Sequence, residues 1–451
     1  MKVGLIAMSG VRAHNPELNA LGLTLPGFVE RSRVVASLPS LGLLTLAALT
    51  PPCVELAYCE VPNLAEIDGV PDEFDLVAIS SFTAQIKDAY VLADRYRALG
   101  TKVVLGGLHV TARAQEALQH ADAVVVGEGE LGWPEVISEI LSSGSPRRRI
   151  YDGRGRSFDL AYAPVPRHDL LELERYNRLT VQTQRGCPFR CEFCAASLMI
   201  SPIYKLKPVA KVMTEIEAIK RLWAAPFIEF ADDNTFVNKR HSKELLRALV
   251  PQKIRWFTET DLSVARDSEL LALMRDSGCA QVLVGFEATT LKALSGVEQR
   301  ADWKAQQLEH YLEAIDRIQN YGVAVNGCFI LGLDGSGTES FDQIRDFVRQ
   351  SKLQEVQITV QTAFPGTPLY DRLRAEGRIL RHEAWELCTL FDVNFQPKEM
   401  TASELESGFR ALAAQLYSKE SVRARRFDFF ERNRLRHAQN EDLARKAPLC
   451  N

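Results

Sequence analysis

Short apolar runs alternate with helix-period stretches along most of this chain, in two series. In the first, β-branched runs at 3–8, 54–58, 76–80, 103–105 and 123–126 are separated by stretches such as 85–99 and 114–118, where apolar positions recur with helical spacing. The second begins near Leu179, with strand candidates at 180–184, 227–231, 254–260, 281–286, 323–331 and 355–362. Helical stretches at 209–223, 239–249, 268–276, 303–321 and 338–351 divide them. Strands alternating with helices predict parallel βαβ units, so both halves read as α/β. The first half predicts a doubly wound, Rossmann-like sheet. The second has its βα units packed into roughly 190 residues, too few for a full eight-fold barrel of ~250, and predicts a partial (β/α)6 barrel.

The organisation that follows is a first domain over 1–142, a linker over 143–178 rich in Gly, Ser, Pro and Arg, the partial barrel over 179–375, and a helical C-terminal region over 376–451. Helices are expected near 368–376 and 403–417. Composition changes little in this picture. The chain has 451 residues, 46% hydrophobic and 25% charged, which excludes disordered, collagen-like and coiled-coil classes. Its charge, 54 − 58 = −4, offers no basic field for nucleic acid. The longest mostly apolar stretch, 41–49, is far short of the ~20 residues of a spanning helix. The first residues read as a strand, not a signal peptide, so a cytoplasmic location and reduced thiols are expected.

Three of the nine cysteines fall within Gln184-Arg185-Gly186-Cys187-Pro188-Phe189-Arg190-Cys191-Glu192-Phe193-Cys194, spaced Cys-x3-Cys-x2-Cys directly after the first strand of the second series. Thiolates are the usual ligands of iron–sulfur centres, and three of them leave one iron of a cubane open to a substrate. Alternatives are a zinc site completed by Cys279, Cys328 or Cys388, and unrelated core cysteines.

The spacing of Cys187, Cys191 and Cys194, with Phe193 before the last, resembles the cluster loop of the radical S-adenosylmethionine (SAM) superfamily. That resemblance implies a [4Fe–4S] cluster whose open iron binds SAM and cleaves it to a 5′-deoxyadenosyl radical. It also assigns SAM contacts to strand ends. Asp232 and Asp233 of Ala-Asp-Asp-Asn replace the more common Gly-Gly-Glu, and a helix N-cap is the alternative there. Glu259, Gly285, Glu287 and Gly327 follow on later strands, Gly327 with strand-to-helix packing as its alternative.

The first domain resembles the cobalamin-binding domain of a radical SAM subclass, through Gly106-Gly107-Leu108-His109 and Gly127-Glu128-Gly129-Glu130. The resemblance assigns corrinoid contacts to Ser81, Gly106, Gly107, His109, Gly127 and Glu128. The Asp-x-His-x-x-Gly signature of a cobalt-ligating histidine is absent, so His109 reads as a loop histidine or one that supports the corrinoid site without ligating cobalt. What is implied is a cobalamin-dependent methyltransferase acting on an unactivated carbon of a small-molecule or lipid-like substrate, with an external flavodoxin- or ferredoxin-type electron donor. Ring closure or oxidation with the same cofactors, and a non-catalytic sensor or carrier, are the alternatives. Methylthio transfer is disfavoured, because only Cys53 and Cys59 lie in the first domain. The Arg- and Phe-rich run 423–436 reads as a solvated amphipathic helix.

Overall fold

The computed structural model describes residues 1–20, 38–196 and 203–446. A strand buried on both faces needs an unbroken apolar run. Strand β1 (Lys2–Met8) has one, and every residue after Lys2 is buried. It lies inside a six-stranded sheet with β2 (Glu55–Glu60), β3 (Leu76–Ser81), β4 (Lys102–Gly106), β5 (Ala123–Val126) and β6 (Ile150–Asp152). The order is β2-β1-β3-β4-β5-β6, with all pairs parallel. The three residues of β6 fall inside the stretch read as a linker. Their Ile-Tyr-Asp run is too short to stand out in a Gly- and Arg-rich context.

Each face of this sheet has its own core. Val3, Leu5 and Ala7 pack with Leu43, Trp133 and Ile137 of helices Leu41–Ala48 and Gly129–Ser143. Ile6, Val77 and Ile79 pack with the helix Ile86–Ala98, in a core continuous with that of the second domain. The two domains therefore share apolar packing.

The second sheet is parallel throughout and runs in chain order: β7 (Leu179–Val181), β10 (Phe227–Phe230), β11 (Arg255–Thr260), β12 (Cys279–Glu287), β13 (Ala324–Leu331) and β14 (Glu355–Val360). With β7 and β14 at its edges, it is the partial (β/α)6 barrel expected. Alternate residues such as Val356, Ile358 and Val360 enter the helix-packed core, leaving Gln357, Thr359 and Gln361 on the inner face. The expected 180–184 strand is interrupted. After β7 the chain forms a clip, β8 (Gln184–Arg185) antiparallel to β9 (Lys205–Leu206), which closes the base of the cysteine loop.

The C-terminal region is only partly helical. Helices Ala402–Leu416 and Lys419–Lys446 follow an irregular stretch after Pro368–Ala375. That stretch straps the first domain: His14 N and Asn15 N donate to Asp392 at 2.7 and 2.9 Å. Trp385 Nε1 donates to Glu116 at 3.2 Å, and the Arg113 guanidinium lies 5.2 Å from the Trp385 ring. Among the described residues no helix is long and apolar enough to cross a membrane.

Candidate active site

The cysteine loop is pinned from several sides. Glu298 accepts from the backbone N–H groups of Arg190 (3.0 Å), Arg300 (3.0 Å) and Ala301 (2.8 Å). Arg372 grips Glu192 with both arms of its fork, at 2.7 and 3.0 Å. Phe189 stacks on Trp303 with ring centres 5.7 Å apart. Phe193, assigned to a cofactor, packs against the hydrophobic core.

Burial pushes the Cys187 thiol up to about 11, with Cys194 and Asp233 adding to it. Burial likewise pushes Cys191 up to about 12, with Lys304 opposing. Thiols raised this way become ligands only when a metal centre compensates the charge. Cys279 is buried at the opposite, N-terminal end of β12 and Cys388 lies beyond the barrel strands, so neither belongs to this loop. Among the described residues no three His, Cys, Asp or Glu side chains enclose a single-ion site.

Above the loop the inner barrel face is acidic. Glu229 pairs with Arg178 at 2.5 Å. Glu259 is reached by solvent from the lumen yet surrounded by barrel wall. That enclosure pushes its carboxyl up to about 8, with Glu229, Asp233 and Glu287 adding repulsion. Glu287 stands at a strand irregularity with φ 64°, paired with Lys304 at 2.6 Å. Lys304 Nζ also donates to Gly285 O at 3.0 Å. A Cβ at Gly285 would lie 2.4 Å from Glu287 Oε1, so this glycine keeps the pair together.

Three of the expected contacts sit elsewhere. Asp232 accepts from Thr183 N (2.7 Å), Thr183 Oγ1 (2.5 Å), Gln184 N (3.0 Å) and Thr235 Oγ1 (3.1 Å), so its carboxylate is spent on the turn before the cysteine loop. The helix after it is capped by Asn238, so the Ala-Asp-Asp-Asn segment is no N-cap. Gly327 faces the helices: a Cβ there would meet Leu353 Cδ1 at 2.7 Å. His109 is buried between Tyr90 and Trp385, with Glu116 Oε1 3.3 Å from Nε2. Asp233 lies beside the first cysteine, accepting from Gly186 N at 3.1 Å.

The first sheet ends in Ser80-Ser81, Gly106-Gly107 and Gly127-Glu128, and these line a cavity of ≈ 480 Å³. Its opposite wall is Thr180, Gln182, Arg185, Ala196 and Asp233 of the second domain. This is the position at which a doubly wound sheet binds its ligand. Within the cavity wall, Glu128 is committed to Arg185, Lys205 and Phe158 N.

Comparison with known proteins follows the same division. The radical SAM superfamily model matches residues 181–348, the B12 binding domain model 33–137, and a domain of unknown function (DUF4070) 367–448. An uncharacterised methyltransferase of Synechocystis is 30% identical over 82% of this chain and 70% of its own length. The chain belongs to the radical SAM superfamily and carries its B12-binding domain.

The bacteriochlorophyllide d C-12(1)-methyltransferase of Chlorobaculum tepidum is 26% identical, over 82% of this chain and 81% of its own. The structure of the radical SAM methyltransferase TsrM from Kitasatospora setae superposes with a TM-score of 0.62 at 17% identity. It covers 83% of this chain and 76% of TsrM, and shares the fold. The cofactors of this radical SAM enzyme are a [4Fe–4S] cluster, SAM and cobalamin, and its residues fit them. Three half-buried thiols share one pinned loop. Among the described residues, Asn326 Oδ1, Gln357 Oε1 and both amide atoms of Gln361 find no hydrogen-bond partner on the inner barrel face, where a polar ligand would satisfy them. A corrin ring needs a floor without side chains. Gly107 at φ +108° and Gly127 at φ +81° provide it in a backbone conformation few other residues adopt.

Sequence reasoning missed Arg185, Lys205, Glu298, Lys304 and Arg372. Arg185 stood in the quoted motif, but the partners of all five are set by tertiary packing.

Proposed function

We propose that this radical SAM methyltransferase acts on an unactivated carbon of a broad, mainly apolar small molecule held between its two domains. The observation that carries this is the single cavity bounded on one wall by the glycine-lined B12-binding strand ends and on the other by the cluster-loop side of the barrel. Such a span lets two reactive centres address one substrate, which is the positioning that the protein contributes to cofactor chemistry.

When bound, the cluster supplies the electron that cleaves SAM to a 5′-deoxyadenosyl radical, and cobalamin carries the methyl group. The chain's own residues bind and orient. Cys187, Cys191 and Cys194 would hold the cluster through their thiolates. Glu259 and Asp233 would receive the cationic ammonium and sulfonium of SAM, and the bound cation would favour their ionised form. Leu38, Leu41, Leu105 and Trp133 line the corrinoid side with apolar surface that excludes water.

No disulfide joins the described cysteines, in keeping with reduced thiols in a cytoplasm, where an external flavodoxin- or ferredoxin-type donor would supply the electron. The Chlorobaculum relative is named for bacteriochlorophyllide d, which makes polycyclic apolar substrates the first to test.

The test is anaerobic turnover with dithionite, SAM and candidate substrates, read by mass spectrometry. The expected outcome is 5′-deoxyadenosine together with a product heavier by about 14 Da, one methylene unit. A product with no added carbon would overturn methylation in favour of ring closure or oxidation. Absence of 5′-deoxyadenosine from cluster-loaded protein would overturn the radical reading itself.

A further inference from the structure

Two motifs far apart in sequence meet in this fold. Gly127-Glu128-Gly129-Glu130 closes β5 on the cobalamin side, and Arg185 stands two residues before the first cluster cysteine. Arg185 donates from Nη1 to Glu128 Oε1 at 2.6 Å and from Nη2 to Glu130 Oε1 at 2.7 Å. Gln182 Oε1 accepts from Nε and Nη2 of the same side chain, at 3.1 and 2.9 Å. Glu128 is 2% exposed and takes two more donors, Lys205 Nζ at 2.5 Å and Phe158 N at 2.8 Å. Arg185 and Lys205 are partners in the β8–β9 clip at the base of the cluster loop. Both strands of that clip therefore hang on one carboxylate of the cobalamin-side loop.

We infer that Glu128, Glu130, Arg185 and Lys205 form a latch that sets the distance between corrinoid and cluster. They are positioning residues, acting through the loops they join. The inference rests on the functional reading above, since both cofactors must be present for a distance to exist. The physical argument is one of specificity. A largely buried ion pair adds little net stability compared with apolar packing, because desolvation offsets its attraction. It does penalise displacement, because any shift leaves a buried charge unpaired, and the planar guanidinium fork fixes direction as well as contact. An interface needing only adhesion is served by leucines. One needing a defined offset between two loops is served by this network. Both the latch and the cavity include Glu128, Glu130, Gln182 and Arg185, so the joint lies at the wall between the two cofactor sites.

The test uses the full chain, reconstituted anaerobically with iron, sulfide and cobalamin and without substrate. The cluster is reduced and cobalt held as Co(II), so that both are paramagnetic, and their magnetic interaction is read by pulsed EPR. The wild-type chain is expected to show a single resolved splitting. Arg185→Gln and Glu130→Gln should lose that resolution while still carrying iron and corrinoid. Arg185→Lys, which keeps the charge but not the fork, should also lose it. Glu130→Gln leaves every contact of Glu128 in place and is the variant least exposed to misfolding.

A wild-type splitting in any variant that carries both cofactors would overturn the latch. So would loss of both cofactors from Glu130→Gln as well as Arg185→Gln, which would make the network a support of the fold alone. Wild-type protein lacking either signal would overturn the functional reading, and the latch with it.

Discussion

Asp232 and Asp233 are neighbours of identical chemistry with different employment. Asp232 takes two backbone and two hydroxyl donors, and burial still pushes its carboxyl up to about 6. Asp232→Ala would orphan two buried N–H groups and is expected to cost about 3 kcal/mol in chemical denaturation. Glu259 gives a pH signature. Its folded pKa of about 8 lies above the ordinary carboxylate value of 4.5, so the folded state binds the extra proton between those limits. Stability therefore falls as pH rises through that window. Cofactor-free Glu259→Gln should melt above wild type at pH 9, with the difference vanishing near pH 4.5. Equal melting at pH 9 would refute the shift. Cys191→Ala should make no 5′-deoxyadenosine, since the cluster would lose one of its three protein ligands.

At the scale of elements, the cysteine loop depends on partners that are not ligands. Glu298 accepts from four backbone N–H groups, Arg190 in the loop and Arg300, Ala301 and Trp303 in the turn that follows Glu298 itself. Removing groups that orient metal ligands typically costs ten- to a hundred-fold in metal affinity. Glu298→Ala should accordingly lose most of its iron to a chelator that leaves wild type loaded, with the fold retained by circular dichroism. The sequence located this loop because the spacing of three thiols is local. It did not reveal the clip, since two-residue strands carry no period, nor β6, whose three residues pair with the outer edge of β5.

Across the whole molecule, the C-terminal region ties the first domain to the barrel. Trp385 is 3% exposed and meets His109, Arg113, Glu116 and Tyr370. Trp385→Ala should cost about 3–5 kcal/mol and split unfolding into two steps. A single unchanged transition would show that the strap is dispensable. These contacts also explain the placement of His109. Its ring fills a gap between domains, a role that a histidine in a Gly-Gly-Leu-His loop does not announce.

Alternation of strand and helix periods, and the spacing of three thiols, lie within a few residues of each other along the chain. Those properties determined by themselves the two parallel sheets, their order of appearance and the place of the cysteine loop. Which carboxylates face the barrel lumen and which are consumed by backbone donors was decided only by the tertiary structure. So was the joining of the Gly-Glu-Gly-Glu loop to Arg185. Their partners are tens of residues away, and only when the chain is folded are these groups desolvated enough for pairing to matter.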